Sequence, residues 1–157
     1  MISLAPLARS DIAQVEHLSV LPEQEVFVGD IKTSLLDADP NRDFHIALWN
    51  DAIIGFFKID RSYADTHAFA KPSGYGLRSF LIGAEFQGKG YGRSLLKALP
   101  GYLSAQYPDQ DCYYLTVNMR NASAYNLYLR SGWIDDGDLY HGGSAGPQHI
   151  LSLCTRP

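Results

Sequence analysis

The stretch "EFQGKGYGRSLL", residues 85–96, constrains the fold more than any other. Gly88, Gly90 and Gly92 alternate with Lys89 and Tyr91, and an apolar helical run follows at once. Glycine costs about 1 kcal/mol relative to alanine in a helix interior. These glycines therefore belong to a turn and to the first helical turn, not to the helix body. The preceding "YGLRSFLI" reads as a strand. Strand, glycine-rich turn and helix together hold phosphates: free N–H groups at the helix start point at the anion, and the helix dipole favours its charge. Glycine lets the backbone approach closely at positive φ.

Two common phosphate motifs are excluded. G-x4-G-K-[ST] matches nothing here, and the dinucleotide pattern G-x-G-x-x-G begins at Gly88 and Gly90 but fails at Arg93. The pattern that fits is Q-x-x-G-x-G, over Gln87, Gly88, Lys89, Gly90, Tyr91 and Gly92.

The rest of the chain places this stretch in a mixed sheet. "ISLAPL" reads as a first strand, and Ser10 followed by Asp11 as the N-cap of a helix reaching about Leu18. "EQEVFVGDIKTSLLDA" reads as helical. "FHIALW" and "AIIGFFKI" are strands joined by an Asn50-Asp51 hairpin turn, and "ADTHAFAKPSG" is a loop. After the glycine stretch, Pro100-Gly101 is expected to kink or restart the helix. "CYYLTVN" is a strand, "ASAYNLYLRS" a helix capped by Gly132, and "GWIDDGDLYH" with "HILSLC" a last strand pair.

Composition narrows the function classes. A net charge of −4 argues against a nucleic-acid surface. The chain has no run of about 18 apolar residues and no basic-then-apolar start, so no membrane association and a cytoplasmic location are expected. Cys112 and Cys154 both sit in apolar strand-like runs. They read as buried thiols, with a disulfide as the alternative. Two cysteines without histidine spacing make no zinc site, and no metal is expected.

The hexapeptide at Gln87–Gly92 resembles the pyrophosphate loop of the GNAT superfamily of N-acetyltransferases. "NASAYNLYLRSGW" is similar to that family's N-x-x-A-x-x-L-Y-x-x-x-G-F segment, with Trp133 in place of the final aromatic residue. The resemblance implies an α/β (α+β) fold. A single N-acetyltransferase domain would span residues 1–157, with a mixed, mostly antiparallel sheet flanked by helices. That sheet would splay between the two strands on either side of the loop helix. It also implies acetyl-coenzyme A as cosubstrate and direct transfer of its acetyl group to an amine.

Residue by residue, the resemblance assigns Gln87, Gly88, Lys89, Gly90, Tyr91, Gly92 and Arg93 to the pyrophosphate. Phe80, Leu81 and Ile82 supply main-chain groups for the pantetheine arm, Asn121 a hydrogen bond to it, and Tyr128 the proton for the leaving thiolate. Asn121 also reads as a helix N-cap, and Tyr128 as one of an aromatic helix face with Tyr125. The family often carries a glutamate on the fourth strand as general base, and the matching position here is Gly76. Glu85 reads as solvated. His67, His141 and His149 remain candidates on their intrinsic pKa alone.

"EQEVFVGDIKTSL" also resembles a segment of the bacterial polyamine-acetylating branch. A small primary amine, with a polyamine or diamine favoured, is the acceptor this implies. Asp37, Asp39, Asp43, Asp135, Asp136 and Asp138 are available to a second ammonium. Arg78 points the other way: it would hold a substrate carboxylate or pair with Asp60. An acceptor that is an amino acid, an antibiotic or a protein amine, and a non-catalytic acyl-coenzyme A sensor, are the competing readings. The resemblance is compatible with a homodimer, and no sequence feature marks an interface.

Overall fold

The computed structural model describes residues 1–28 and 30–155. It consists of β1 (Ile2–Leu7), α1 (Glu25–Val28), α2 (Ile31–Leu35), β2 (Arg42–Trp49), β3 (Ala52–Asp60), α3 (Tyr63–Thr66), β4 (Tyr75–Ile82), α4 (Tyr91–Gln106), β5 (Cys112–Asn118), α5 (Ala122–Arg130), β6 (Ile134–Tyr140) and β7 (Gln148–Cys154). The strands form one seven-stranded sheet in the order β1-β2-β3-β4-β5-β7-β6. Every pairing is antiparallel except β4 with β5. The Asn50-Asp51 turn has φ of 46° and 70°, the left-handed pair that a tight hairpin needs.

The parallel contact creates the site. β4 and β5 pair only at Tyr75↔Tyr113 and Gly76↔Tyr114, and beyond those residues the strands part. The edge of β4 from Leu77 to Ile82 thus has no strand partner on its β5 side. β4 is also bulged. Ser79 sits at φ 55°, and the β3–β4 register slips between Phe56 and Lys58. The Ser79 hydroxyl accepts from Ser34 of α2 at 3.2 Å, which ties the bulge to the helical layer.

Four local expectations are corrected. The first helix is a 3-10 segment, Arg9–Val15, capped by Ala8 and not by Ser10. Arg9 anchors its start, reaching the carbonyls of Asp37, Asp39 and Arg42 while its guanidinium lies 4.2 Å from the Phe44 ring centroid. The expected helix at Glu23–Ala38 is a 3-10 turn and two short helices, the second capped by Asp30, whose Oδ1 accepts from Thr33 N at 2.7 Å. Gly29, inside that span, lies outside the described residues.

Pro100 does not restart α4, which runs unbroken from Tyr91 to Gln106. Proline in a helix interior costs about 3 kcal/mol. Leu95, Leu96, Leu99 and Leu103 are fully buried on both sides of it, and each contributes about 1.5–3 kcal/mol. The stretch 64–74 is not all loop, since α3 forms one helical turn there.

The thiol expectation is also overturned: Cys112 and Cys154 form a disulfide. β7 inserts between β5 and β6, which makes the two cysteines direct register partners with Cα atoms 4.1 Å apart. No described helix is long and apolar enough to cross a membrane.

Candidate active site

The splay between β4 and β5 opens into two adjoining cavities of about 470 Å³ each. One is lined by Gln87, Gly88, Gly90, Tyr91, Gly92 and Arg93 of the loop, by Phe80, Leu81 and Ile82 of β4, and by Asn121. Of the expected coenzyme residues Lys89 and Tyr128 are absent from that lining, and Lys89 stands exposed. Tyr128 lines the other cavity. Phe80, Asn121, Ala124, Leu127, Phe27 and Val28 line both, so the two spaces meet beside the bulge of β4.

The loop geometry suits an anion. Gly88 and Gly90 adopt φ of 76° and 82°, and nothing lies within 4 Å of where their side chains would project. Gly90 caps α4, turning the first N–H groups of a 16-residue helix toward the cavity. Gly92 serves a different need: a Cβ there would sit 3.3 Å from Leu127, so its absence lets α4 approach α5. The Gln87 side chain does not project into the loop. Its Nε2 donates to Ile82 O at 2.8 Å, and its amide pairs with that of Gln24 at 3.0 Å, fixing the loop against the end of β4.

Tyr128 is 8% exposed, its ring against Phe80 (centroids 5.9 Å) and Trp133 (5.8 Å). Burial alone pushes its hydroxyl pKa up, so it stays protonated at neutral pH. No group among the described residues bonds that hydroxyl. Tyr125, one turn earlier, does not share its site; it donates to Asp135 at 2.6 Å and stacks on His149. Asn121 caps α5, its Oδ1 accepting from Ala124 N at 3.4 Å, and still lines both cavities.

The fourth-strand position is closed. A Cβ on Gly76 would fall 2.0 Å from Cδ2 of Tyr63, whose buried ring covers it. His67 stacks on the Tyr63 ring, centroids 3.8 Å apart. His67 lines the Tyr128 cavity, whereas His141 and His149 do not. Its Nδ1 lies 2.9 Å from Thr66 Oγ1 and 3.1 Å from Tyr63 O. Burial lowers the His67 pKa, with Tyr63 O opposing, so the ring is neutral at pH 7. Glu85 is exposed, as expected.

The acids behave otherwise than the sequence suggested. None of Asp37, Asp39, Asp43, Asp135, Asp136 or Asp138 lines the Tyr128 cavity. Burial works to raise the Asp37 pKa, but Asp39 N–H, Lys58 and Arg42 hold it near about 2. Asp43 takes Arg61 and Tyr107, and Asp135 takes Tyr125. Arg42, Lys58 and Arg78 line the cavity instead. Sequence reading missed Tyr63, Arg42 and Lys58 as cavity residues. No periodicity or motif marks them, because only the register of β2, β3 and β4 brings them to one face.

Comparison with known proteins decides the family. The profile of the Acetyltransferase (GNAT) family matches residues 8–133. The chain belongs to this family. An uncharacterized N-acetyltransferase of Bacillus subtilis (strain 168), YbbJ, is 32% identical over 153 residues, 96% of this chain and 95% of that one. The spermine/spermidine N(1)-acetyltransferase of the same strain is 26% identical over 143 residues, 90% of this chain and 93% of that one. Among solved structures, aminoglycoside acetyltransferase AAC(6')-Ib in complex with coenzyme A superposes with a TM-score of 0.77 at 20% identity, covering 98% of this chain and 95% of that one. This GNAT protein is accordingly an acetyl-coenzyme A-dependent N-acyltransferase. Its sheet and flanking helices are those expected of the family, including the open splay at β4 and β5.

Proposed function

We propose that this acetyltransferase moves the acetyl group of acetyl-coenzyme A directly to the primary amine of a small molecule. The observation that carries the reading is the meeting of the two cavities at the β4 bulge, with Tyr128 in the wall of one and the glycine loop in the wall of the other. The loop N–H groups and Arg93 would take the pyrophosphate. The unpaired edge of β4 would take the pantetheine arm as an added strand, and a β4 N–H beside the bulge would stabilise the oxyanion.

The amine nitrogen attacks the thioester carbonyl, the C–S bond breaks, and the Tyr128 O–H supplies the proton to the departing sulfur. Burial raises the Tyr128 pKa above the ordinary phenol value of about 10, so giving its proton to a thiolate of pKa about 8.5 is an uphill step that placement must help. The nucleophile must first lose its own proton. An amine of pKa about 10.4 is neutral in about one molecule in 2,500 at pH 7, a deficit of about 4.6 kcal/mol. With Gly76 covered by Tyr63, the neutral imidazole of His67 is the proton acceptor this cavity offers, reached through water.

The diamine preference expected from Glu23–Leu35 is supported by the 26% identical spermine/spermidine acetyltransferase. Among the described residues, however, no acid lines this chain's cavity to hold a second ammonium. The test is thiol release from acetyl-coenzyme A across an amine panel: spermidine, putrescine, ornithine, glutamate and an aminoglycoside. Amine-dependent release is expected, and its absence with every primary amine would refute the reading.

A further inference from the structure

The acceptor cavity is cationic, and the way its cations are held has a chemical consequence. Lys58 of β3 and Arg78 of β4 are direct cross-strand partners on the face that lines it. Like charges placed opposite each other destabilise a sheet pair. Asp37 and Asp60 offset part of that cost. Lys58 Nζ donates to Asp37 at 3.0 Å, and Arg78 Nε donates to Asp60 at 2.8 Å. Arg42, on the neighbouring strand, shares both acids, at 3.0 Å from Asp37 and 3.5 Å from Asp60.

Two acids, Asp60 buried and Asp37 half-buried, thus serve three cations. Among the described residues Asp39, 3.9 Å from Arg42, is the one further acid at ion-pair distance, and it is about a third exposed to solvent. Arg42 Nε is buried with no hydrogen-bond partner among the described residues. Among the described residues Arg78 is hydrogen-bonded through Nε alone, beside the Tyr63 ring, so its two terminal nitrogens keep their donors, and the residue lines the cavity. No Asp or Glu lines that cavity among the described residues.

We propose that the acceptor is an amine that also carries a carboxylate, and that Arg78, with Arg42 and Lys58 behind it, is the residue that selects it. The inference rests on the acetyl-transfer reading above and names its substrate class. Phe80, against Tyr128, marks the end of the cavity where the chemistry occurs, and Arg78 stands two residues earlier on the same strand, across the Ser79 bulge. That closeness in the chain fits an amine separated from its carboxylate by a short chain, and Leu77, Leu115 and Val117 also line the cavity. The terminal Arg78 N–H groups suit a two-pronged bond to a carboxylate. A diamine would instead bring its second ammonium against three cations.

Matched pairs differing only in the carboxylate test this: ornithine against putrescine, and lysine against 1,5-diaminopentane. The wild-type protein is expected to acetylate the carboxylate-bearing member with at least tenfold higher kcat/KM. In Arg78→Gln this preference should collapse through KM, with Arg78→Lys recovering part of it. A second readout needs neither turnover nor a variant: ornithine, and not putrescine, should raise the melting temperature of the coenzyme A-bound wild-type protein. Equal or better turnover or stabilisation by the diamine overturns the proposal. Stabilisation by ornithine without thiol release from any amine keeps the anion site and refutes the acetyl-transfer reading instead.

Discussion

The ring of Tyr63 lies on Gly76, filling the space where any side chain at that position of β4 would project. The family's fourth-strand acid therefore has no room here, and proton removal from the acceptor must come from elsewhere in the cavity. Gly76→Ala places a Cβ 2.0 Å from a ring that is itself 2% exposed and stacked on His67. Overpacking of this kind costs about 1–3 kcal/mol. Chemical denaturation should show that loss, and a variant as stable as the wild type would mean the ring yields freely.

Gly90→Val tests the loop. The position has φ 82° and open space around it, so the unliganded protein should stay folded with a modest local strain. In the wild type, acetyl-coenzyme A at about 100 times its Kd should stabilise the fold by about 2.7 kcal/mol. The variant should lose that melting shift. A full shift would place the coenzyme somewhere other than this loop.

His45 gives the fold a pH dependence remote from the cavities. It is buried between Tyr102 and Tyr107, 2.6 and 2.9 Å from their hydroxyls. Burial lowers its pKa to about 4, with Asp43 opposing. The unfolded chain binds a proton near the ordinary value of about 6.5 and the folded one does not, so stability is complete above about 6.5 and falls as pH drops toward 4. The loss by pH 4 is about 3 kcal/mol. The lowered pKa of His67 acts in the same direction. Unfolding measured from pH 7 to 4.5 should show a shallower decline in His45→Gln, and parallel curves would assign the acid sensitivity to other groups.

The Cys112–Cys154 bond closes a segment with a sequence separation of 42. A cross-link over such a loop stabilises by about 2–4 kcal/mol, through restriction of the unfolded chain. Reductant, or the Cys112→Ser and Cys154→Ser pair, should lower the denaturation midpoint by that amount while leaving turnover unchanged. Neither cysteine lines either cavity. An unchanged midpoint would show that the bond adds nothing to stability.

Legibility followed chain distance. Residues 75–133 declared themselves because strand, loop, helix and N-cap are local. The glycines need positive φ, the leucines of α4 keep helical spacing, and Asn121 caps the helix that carries Tyr128. What escaped depends on which strand lies beside which. The cysteine pairing requires β7 to sit between β5 and β6, and the cationic face requires Lys58 to oppose Arg78. The 3-10 entry at Arg9 depends on carbonyls about 30 residues away, which no local pattern of Ser10 and Asp11 could show.

The most direct measurement compares Tyr128→Phe with the wild type, following thiol release in single turnovers with a saturating acceptor. The change removes only a buried hydroxyl that bonds no described group, so the fold and the melting shift with acetyl-coenzyme A should be retained. The chemical step should slow by about 10²-fold or more, the share expected of a positioned acid. An unaltered rate, with chemistry demonstrably limiting, would contradict the account and leave Tyr128 as a core ring packed between Phe80 and Trp133.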